Sequence, residues 1–198
     1  MKLNIVGVDP SLRNLGIVIA ELDTSNMTFE VVDMRLLKSE DNATKQKTVR
    51  KNSDDLRRAT ILQKGLIEAC KDASFAFVEI PVGSQSARAM ASYGICIGVL
   101  SSCPIPMIQV TPTEVKLAGT NIKSATKEEM IDAAVKDYPY APWMKRKIKG
   151  QTELLAANEH LADALFAIKA GIATEQFKSA VELYKKFSEI KNKSVSLV

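Results

Sequence analysis

The chain has 198 residues, 46% of them hydrophobic, and a formal net charge of +4. That is enough for one domain with its own core and leaves little room for a second. A charged fraction of 25% excludes a disordered chain, and the mildly basic balance suits a nucleic-acid partner without requiring one.

The three cysteines, Cys70, Cys96 and Cys103, sit in apolar surroundings and lack C-x-x-C spacing, so neither a disulfide framework nor a structural zinc is expected. The opening MKLNIVGVDP places a charge and an aspartate where a secretory signal needs an apolar stretch. No run approaches the roughly 18 apolar residues of a membrane span. A cytoplasmic, reducing setting is the expectation.

Taken in order, Leu3–Val8 reads as a short apolar strand that stops at Asp9-Pro10. Gly16–Leu22 is a second, the cluster Asp23-Thr24-Ser25-Asn26 is a turn, and Thr28–Leu36 is a third strand. Short connections make these an antiparallel meander. Lys38–Lys51 is polar and reads as a mobile loop. Ser53-Asp54-Asp55 can cap a helix carrying Leu56, Ile61, Leu62, Leu66 and Ile67 at helical spacing. Phe75–Ile80 is a fourth strand stopped by Pro81, followed by a helix over Ser84–Ser101 and a fifth strand over Pro106–Val110.

Thr126-Lys127-Glu128-Glu129 fits a capping box opening a helix to Asp137. Tyr138–Gly150 reads as an insertion containing the basic run Lys145-Arg146-Lys147-Ile148-Lys149. A helix over Thr152–Ala170, broken at Gly171, and an amphipathic helix over Glu175–Ile190 complete the chain. The order predicts an α/β fold: a mixed five-stranded sheet flanked by helices. The expected division is a domain over residues 1–173 and a C-terminal helix and tail over 174–198.

The carboxylates carry the chemical signal. Asp9 ends the first strand, where Asp-Pro also serves as a turn opener. Glu79 lies inside the apolar strand Phe75–Ile80, where a buried carboxylate needs a cation or a metal beside it, the alternative being a last-residue Glu that points at solvent. On the helix Thr152–Ala170, His160 and Asp163 stand about 60° apart, while Glu159 and Asp163 stand about 40° apart and repel each other unless a cation intervenes. Oxygen donors from two strand ends and a helix, with one imidazole, suit Mg²⁺ or Mn²⁺ better than zinc. Such ions can hold a phosphodiester for hydrolysis.

Three segments resemble the RuvC family of Holliday-junction resolvases. Gly7-Val8-Asp9-Pro10-Ser11-Leu12-Arg13-Asn14-Leu15-Gly16 resembles its G-I-D-P-G-x-x-x-x-G opening, Phe77-Val78-Glu79 its A-I-E strand, and His160-Leu161-Ala162-Asp163-Ala164-Leu165 its [D/H]-x-A-D-A-L helix. They occur in the family's order over roughly residues 3 to 171.

The resemblance implies an RNase H-like fold, with three antiparallel strands followed by two parallel ones. It implies metal ligands at Asp9, Glu79, His160 and Asp163, with Glu159 in reserve, and scissile-phosphate lysines at Lys116 and Lys127. It implies two Mg²⁺ per site (Mn²⁺ substituting), a homodimer, and cleavage of four-way DNA junctions to 5′-phosphate and 3′-hydroxyl ends. Ser11, Arg13, Arg88 and Lys123 are expected DNA contacts, as is the segment with Trp143, Lys145, Arg146, Lys147 and Lys149, by stacking and phosphate contacts.

Ser11 replaces the family's second glycine, and Val82 falls where the family has a junction-wedging aromatic. A fork or flap nuclease, a non-catalytic branched-DNA binder, and a small nucleotide hydrolase sharing the G-x-D-x-G-x-x-x-x-G opening remain alternatives.

Overall fold

The computed structural model describes residues 1–39, 51–148 and 150–195. Most of the expected loop (40–50), Lys149 and the last three residues lie outside the described residues. Strands β1 (Lys2–Pro10), β2 (Asn14–Asp23) and β3 (Thr28–Lys38) form the antiparallel meander. β4 (Phe75–Glu79) then pairs parallel to β1, and β5 (Met107–Val110) parallel to β4. The sheet order is β3-β2-β1-β4-β5, the RNase H-like arrangement expected.

Side chains alternate across a strand, so β1 feeds two cores. Leu3 and Ile5 join the cluster that holds Phe77, Leu161 and Leu165, while Val6 and Val8 join Leu62, Leu66 and Cys96 on the other face. Helices α1 (Lys51–Cys70) and α2 (Ala87–Leu100) cover that second face. Helices α3 (Pro112–Thr120), α4 (Lys127–Asp137), α5 (Glu159–Ile172) and α6 (Glu175–Val195) follow in the chain. In α6, Phe177 meets Phe75 and Phe77 edge-on at 5.2 and 4.9 Å between ring centroids, so this helix starts inside the core. Among the described residues no helix is long and apolar enough to cross a membrane.

Several sequence expectations are corrected. α1 is already helical at Lys51, so Ser53 sits inside the helix. It also buries a narrower stripe than its spacing suggests: Leu62 and Leu66 are buried, but Leu56, Ile61 and Ile67 are exposed. α3 was not expected as a helix, although Thr111-Pro112-x-Glu114 forms a capping box with proline in its first turn. The catalytic-helix candidate starts at Glu159, not at Thr152. Gln151–Leu154 is instead strand β7, paired with β6 (Lys145–Ile148), with Gly150 at φ +84° in the turn between them. Gly171 does not break α5, which runs on to Ile172.

α5 is the most deeply seated helix, with nine buried residues from Leu161 to Ile172. It lies directly on β1 and β2 because two glycines face it. A Cβ at Gly7 would stand 2.1 Å from the Ala164 carbonyl oxygen, and one at Gly16 2.1 Å from that of His160. Gly94, on the open side of α2, would meet nothing within 4 Å.

Gly16→Ala is therefore expected to lower stability by about 1–3 kcal/mol through overpacking. Gly94→Ala should gain up to about 1 kcal/mol from helix propensity. Urea unfolding of the two variants checks this, and equal stability would contradict the close approach.

Candidate active site

Parallel pairing of β1 with β4 brings the ends of both strands to one edge of the sheet, with Val8 opposite Val78, so Asp9 and Glu79 follow at adjacent positions. α5 crosses the same edge and supplies Glu159, His160 and Asp163 from its first turns. The His160 Nδ1 stands 2.6 Å from Asp9 Oδ2. The Asn14 amide nitrogen donates to Nε2 at 3.2 Å. A neutral ring so arranged carries its proton on Nδ1 and donates it to Asp9.

The electrostatics are those of an under-neutralised anionic cluster. Burial, then the charges of Asp9 and Asp163, push Glu79 up to about 8 from an ordinary 4.5, with Lys116 only partly opposing them. Burial, then Asp9, push Asp163 up to about 7, against the pull of His160 and Lys116. Burial disfavours the charged imidazole of His160, but the hydrogen bond and charge of Asp9 outweigh it and raise its pKa.

Glu159 is held differently. Its carboxylate binds Lys127 Nζ at 2.5 Å, with its other oxygen 3.6 Å from His160 Nε2. Lys127 is therefore the cation that relieves the Glu159–Asp163 repulsion, and its own pKa rises, first through its hydrogen bond to Glu159. His160 is the residue bonded to Asp9, while Glu159 is already partnered.

Among the described residues no three acidic, histidine or cysteine side chains stand as a finished coordination shell. The donor set nonetheless fits a hard divalent cation. Glu79 and Asp163, both pushed up by burial and by the charge of Asp9, gain most, with an imidazole beside them, from a compact positive charge.

A cavity of about 200 Å³ beside Asp9 and Glu79 is lined by Val82, Tyr93 and Pro112. Tyr93 also borders a cleft of about 400 Å³ walled by Ser11, Arg13, Asn14, Arg58, Arg88 and His160. In that cleft Arg88 makes a two-pronged pair with Asp55 at 2.6 and 2.7 Å. The Ser11 hydroxyl is used locally: it donates to the Asn14 carbonyl at 2.6 Å and accepts from the Asn14 amide at 3.0 Å, closing the β1–β2 turn. This is a physical reason for serine in place of glycine. Lys123 is exposed, as is Val82 at the position of the family's wedge.

Trp143 is the clear departure. It is 5% exposed and its indole N–H donates to the Tyr138 carbonyl at 2.9 Å, so it is a core residue and offers no stacking face. Lys145, Arg146 and Lys147 are exposed on β6, and Lys149 lies outside the described residues. Sequence reasoning missed Asn14, although it lies within the opening motif. It also missed Arg58, Tyr93 and the Asp55–Arg88 pair, which join residues far apart in sequence and leave no local pattern.

Crowded carboxyls destabilise the cation-free fold as pH rises. A group whose folded pKa is raised contributes stability below its unfolded value and loses it as pH climbs through the folded value. For Glu79 that window runs from about 4.5 to about 8. Glu79→Gln is therefore expected to melt several degrees above wild type at pH 8, given about 2–4 °C per kcal/mol for a chain of this size. The difference should shrink at pH 5. Mn²⁺ should raise the wild-type melting point more at pH 8 than at pH 6, because the carboxyls must lose protons to bind it. Thermal scans at the three pH values decide, and parallel profiles for wild type and variant would refute the crowding.

No family model matches the chain. Two curated proteins named crossover junction endodeoxyribonuclease RuvC, from two strains of Prochlorococcus marinus, are 24% and 23% identical over 135 residues, covering 68% of this chain and 83% of each relative. Thermus thermophilus RuvC in complex with Holliday junction substrate superposes with a TM-score of 0.59 at 18% identity, covering 89% of this chain and 96% of that one. The yeast mitochondrial Holliday junction resolvase Ydc2 gives a TM-score of 0.55 at 9% identity, covering 93% and 84% of the two chains. In both sequence and fold, the chain is RuvC-like.

Proposed function

We propose that this protein is a divalent-metal-dependent endodeoxyribonuclease that resolves four-way DNA junctions by paired phosphodiester hydrolysis. The observation that carries this reading is the meeting of Asp9, Glu79 and Asp163, with His160 beside them, at one edge of a RuvC-like sheet. Those four residues would hold Mg²⁺, two ions per site, or Mn²⁺ in its place. When bound, such ions polarise the phosphodiester and stabilise the charge of the leaving oxygen.

The chain's own groups then have separate tasks. Asn14 and Asp9 orient the His160 ring from its two nitrogens. Lys116 acts on Glu79 and Asp163, and Lys127 holds Glu159; these positions beside the carboxylates support a role for both lysines toward the scissile phosphate. Ser11, Arg13 and Arg88 wall the adjoining cleft and provide phosphate contacts, and the exposed Lys123 provides another. A homodimer presents two such sites to opposite strands, leaving 5′-phosphate and 3′-hydroxyl ends. The absence of an aromatic at the exposed Val82 favours, as a second reading, a looser preference for forks and flaps.

The test is a labelled four-way junction with Mg²⁺, compared with a fork and a linear duplex. Wild type should cut the junction fastest and in paired nicks. Asp9→Asn should lose on the order of 100-fold or more, as expected when one of the few groups stabilising charge in the reaction is removed. Faster cutting of forks selects the second reading. Junction binding without any cutting defeats both in favour of a non-catalytic binder.

A further inference from the structure

The β6–β7 hairpin has no core of its own. All four residues of β6 are exposed, as are three of the four in β7. A free two-stranded ribbon is marginal in water, so its order comes from its base. There Asn158, 0% exposed, accepts from the Met144 amide at 2.9 Å and donates to the Met144 carbonyl at 2.8 Å. Leu155 N–H adds a bond to the same carbonyl at 3.0 Å. The buried Trp143 fixes the chain just before it. Asn158 lies two residues before His160, so the ribbon is tied to the start of the helix that carries the candidate site.

The ribbon is two-sided in charge. Opposed residues of an antiparallel pair share a face, and successive residues alternate. Lys145↔Leu154 and Lys147↔Thr152 therefore define one face, and Arg146↔Glu153 and Ile148↔Gln151 the other. On the second face Glu153 neutralises Arg146 at 3.3 Å. The first face has two lysines, no acid, and no ion pair to either lysine among the described residues. Its lysines are two residues apart, an advance of about 6.8 Å along a strand. Two nucleotides of one DNA strand advance about the same distance along the duplex axis.

We infer that the hairpin is a one-sided DNA-backbone contact: its Lys145–Lys147–Thr152 face lies along the phosphates of a duplex arm, and its Arg146–Glu153 face does not. This rests on the reading of the chain as a branched-DNA enzyme. It refines the sequence expectation, which treated the whole basic run as equivalent. Backbone contacts of this kind add affinity and register without base preference.

The experiment measures binding to a labelled four-way junction in EDTA, over roughly 50 to 200 mM KCl, a span in which phosphate contacts are strongly salt-sensitive. Wild type is compared with Lys145→Ala/Lys147→Ala, Lys145→Arg/Lys147→Arg and Arg146→Ala, with melting points as a folding control. The double alanine variant should bind roughly 10-fold more weakly and lower the salt slope by about 1.8, two contacts at about 0.9 each. The arginine variant should retain wild-type binding, and Arg146→Ala should stay within about 2-fold of wild type, because no phosphate contact is lost. A wild-type slope in the double alanine variant, or an equal loss in Arg146→Ala, overturns the assignment.

Cleavage with Mg²⁺ is measured in parallel. A protein with the lysine-dependent slope that cuts nothing defeats the nuclease reading and supports the ribbon's role. A protein that cuts junctions without depending on these lysines defeats only the ribbon.

Discussion

The constraint on which the rest depends is the seating of α5 on β1 and β2. The peptide backbones come so close that a single methyl group at Gly7 or Gly16 would collide with a carbonyl oxygen of the helix. That contact places His160 and Asp163 over the strand end that carries Asp9. A helix kept away by larger side chains would leave the imidazole short of the 2.6 Å bond to Asp9. The opening motif thus has two jobs on one strand pair, since Asp9 contributes a carboxylate to the candidate site and Gly7 and Gly16 make room for its partner.

What this seating assembles is an unfavourable electrostatic arrangement. Desolvated carboxyls repel each other, and the lysines present relieve the strain only in part: Lys116 partly opposes the upward shifts of Glu79 and Asp163, and Lys127 pairs with Glu159. The apolar packing of α5 tolerates that cost because most of the helix beyond its first turn is buried. Electrostatic repulsion and apolar packing therefore pull in opposite directions at this edge, and the core beneath it is large enough to let the cluster remain strained.

The sheet was legible in the sequence because its strands are short apolar runs with sharp stops: Pro10, the Asp23–Asn26 turn and Pro81 each end a strand near where its hydrogen bonding ends. Asp9, Glu79, His160 and Asp163 could be named because each lies on a recognisable element, yet the distances that join them could not, since pairing across 151 residues leaves no local trace. The failures are as instructive. Thr152–Leu154 carries a pattern that continues smoothly into the α5 helix, and only the turn at Gly150 and its partner strand divert it into a hairpin. Trp143 beside a run of basic residues looks like a stacking platform. Its indole is instead consumed by the core, because an aromatic just before an exposed ribbon is what fixes the ribbon to the body.

That last point links the insertion to the chemistry. Asn158 precedes α5 but forms no side-chain cap on it, because its amide is spent on both polar groups of Met144 at the hairpin's base. A 3₁₀ turn over Ala156–Asn158 leads straight into α5, and its Ala156 carbonyl accepts the Glu159 N–H in place of a side-chain cap. One buried asparagine thus ties the ribbon's position to the helix start, and the helix start to His160. Through it, an element with no core of its own shares the rigidity of the most buried helix in the fold.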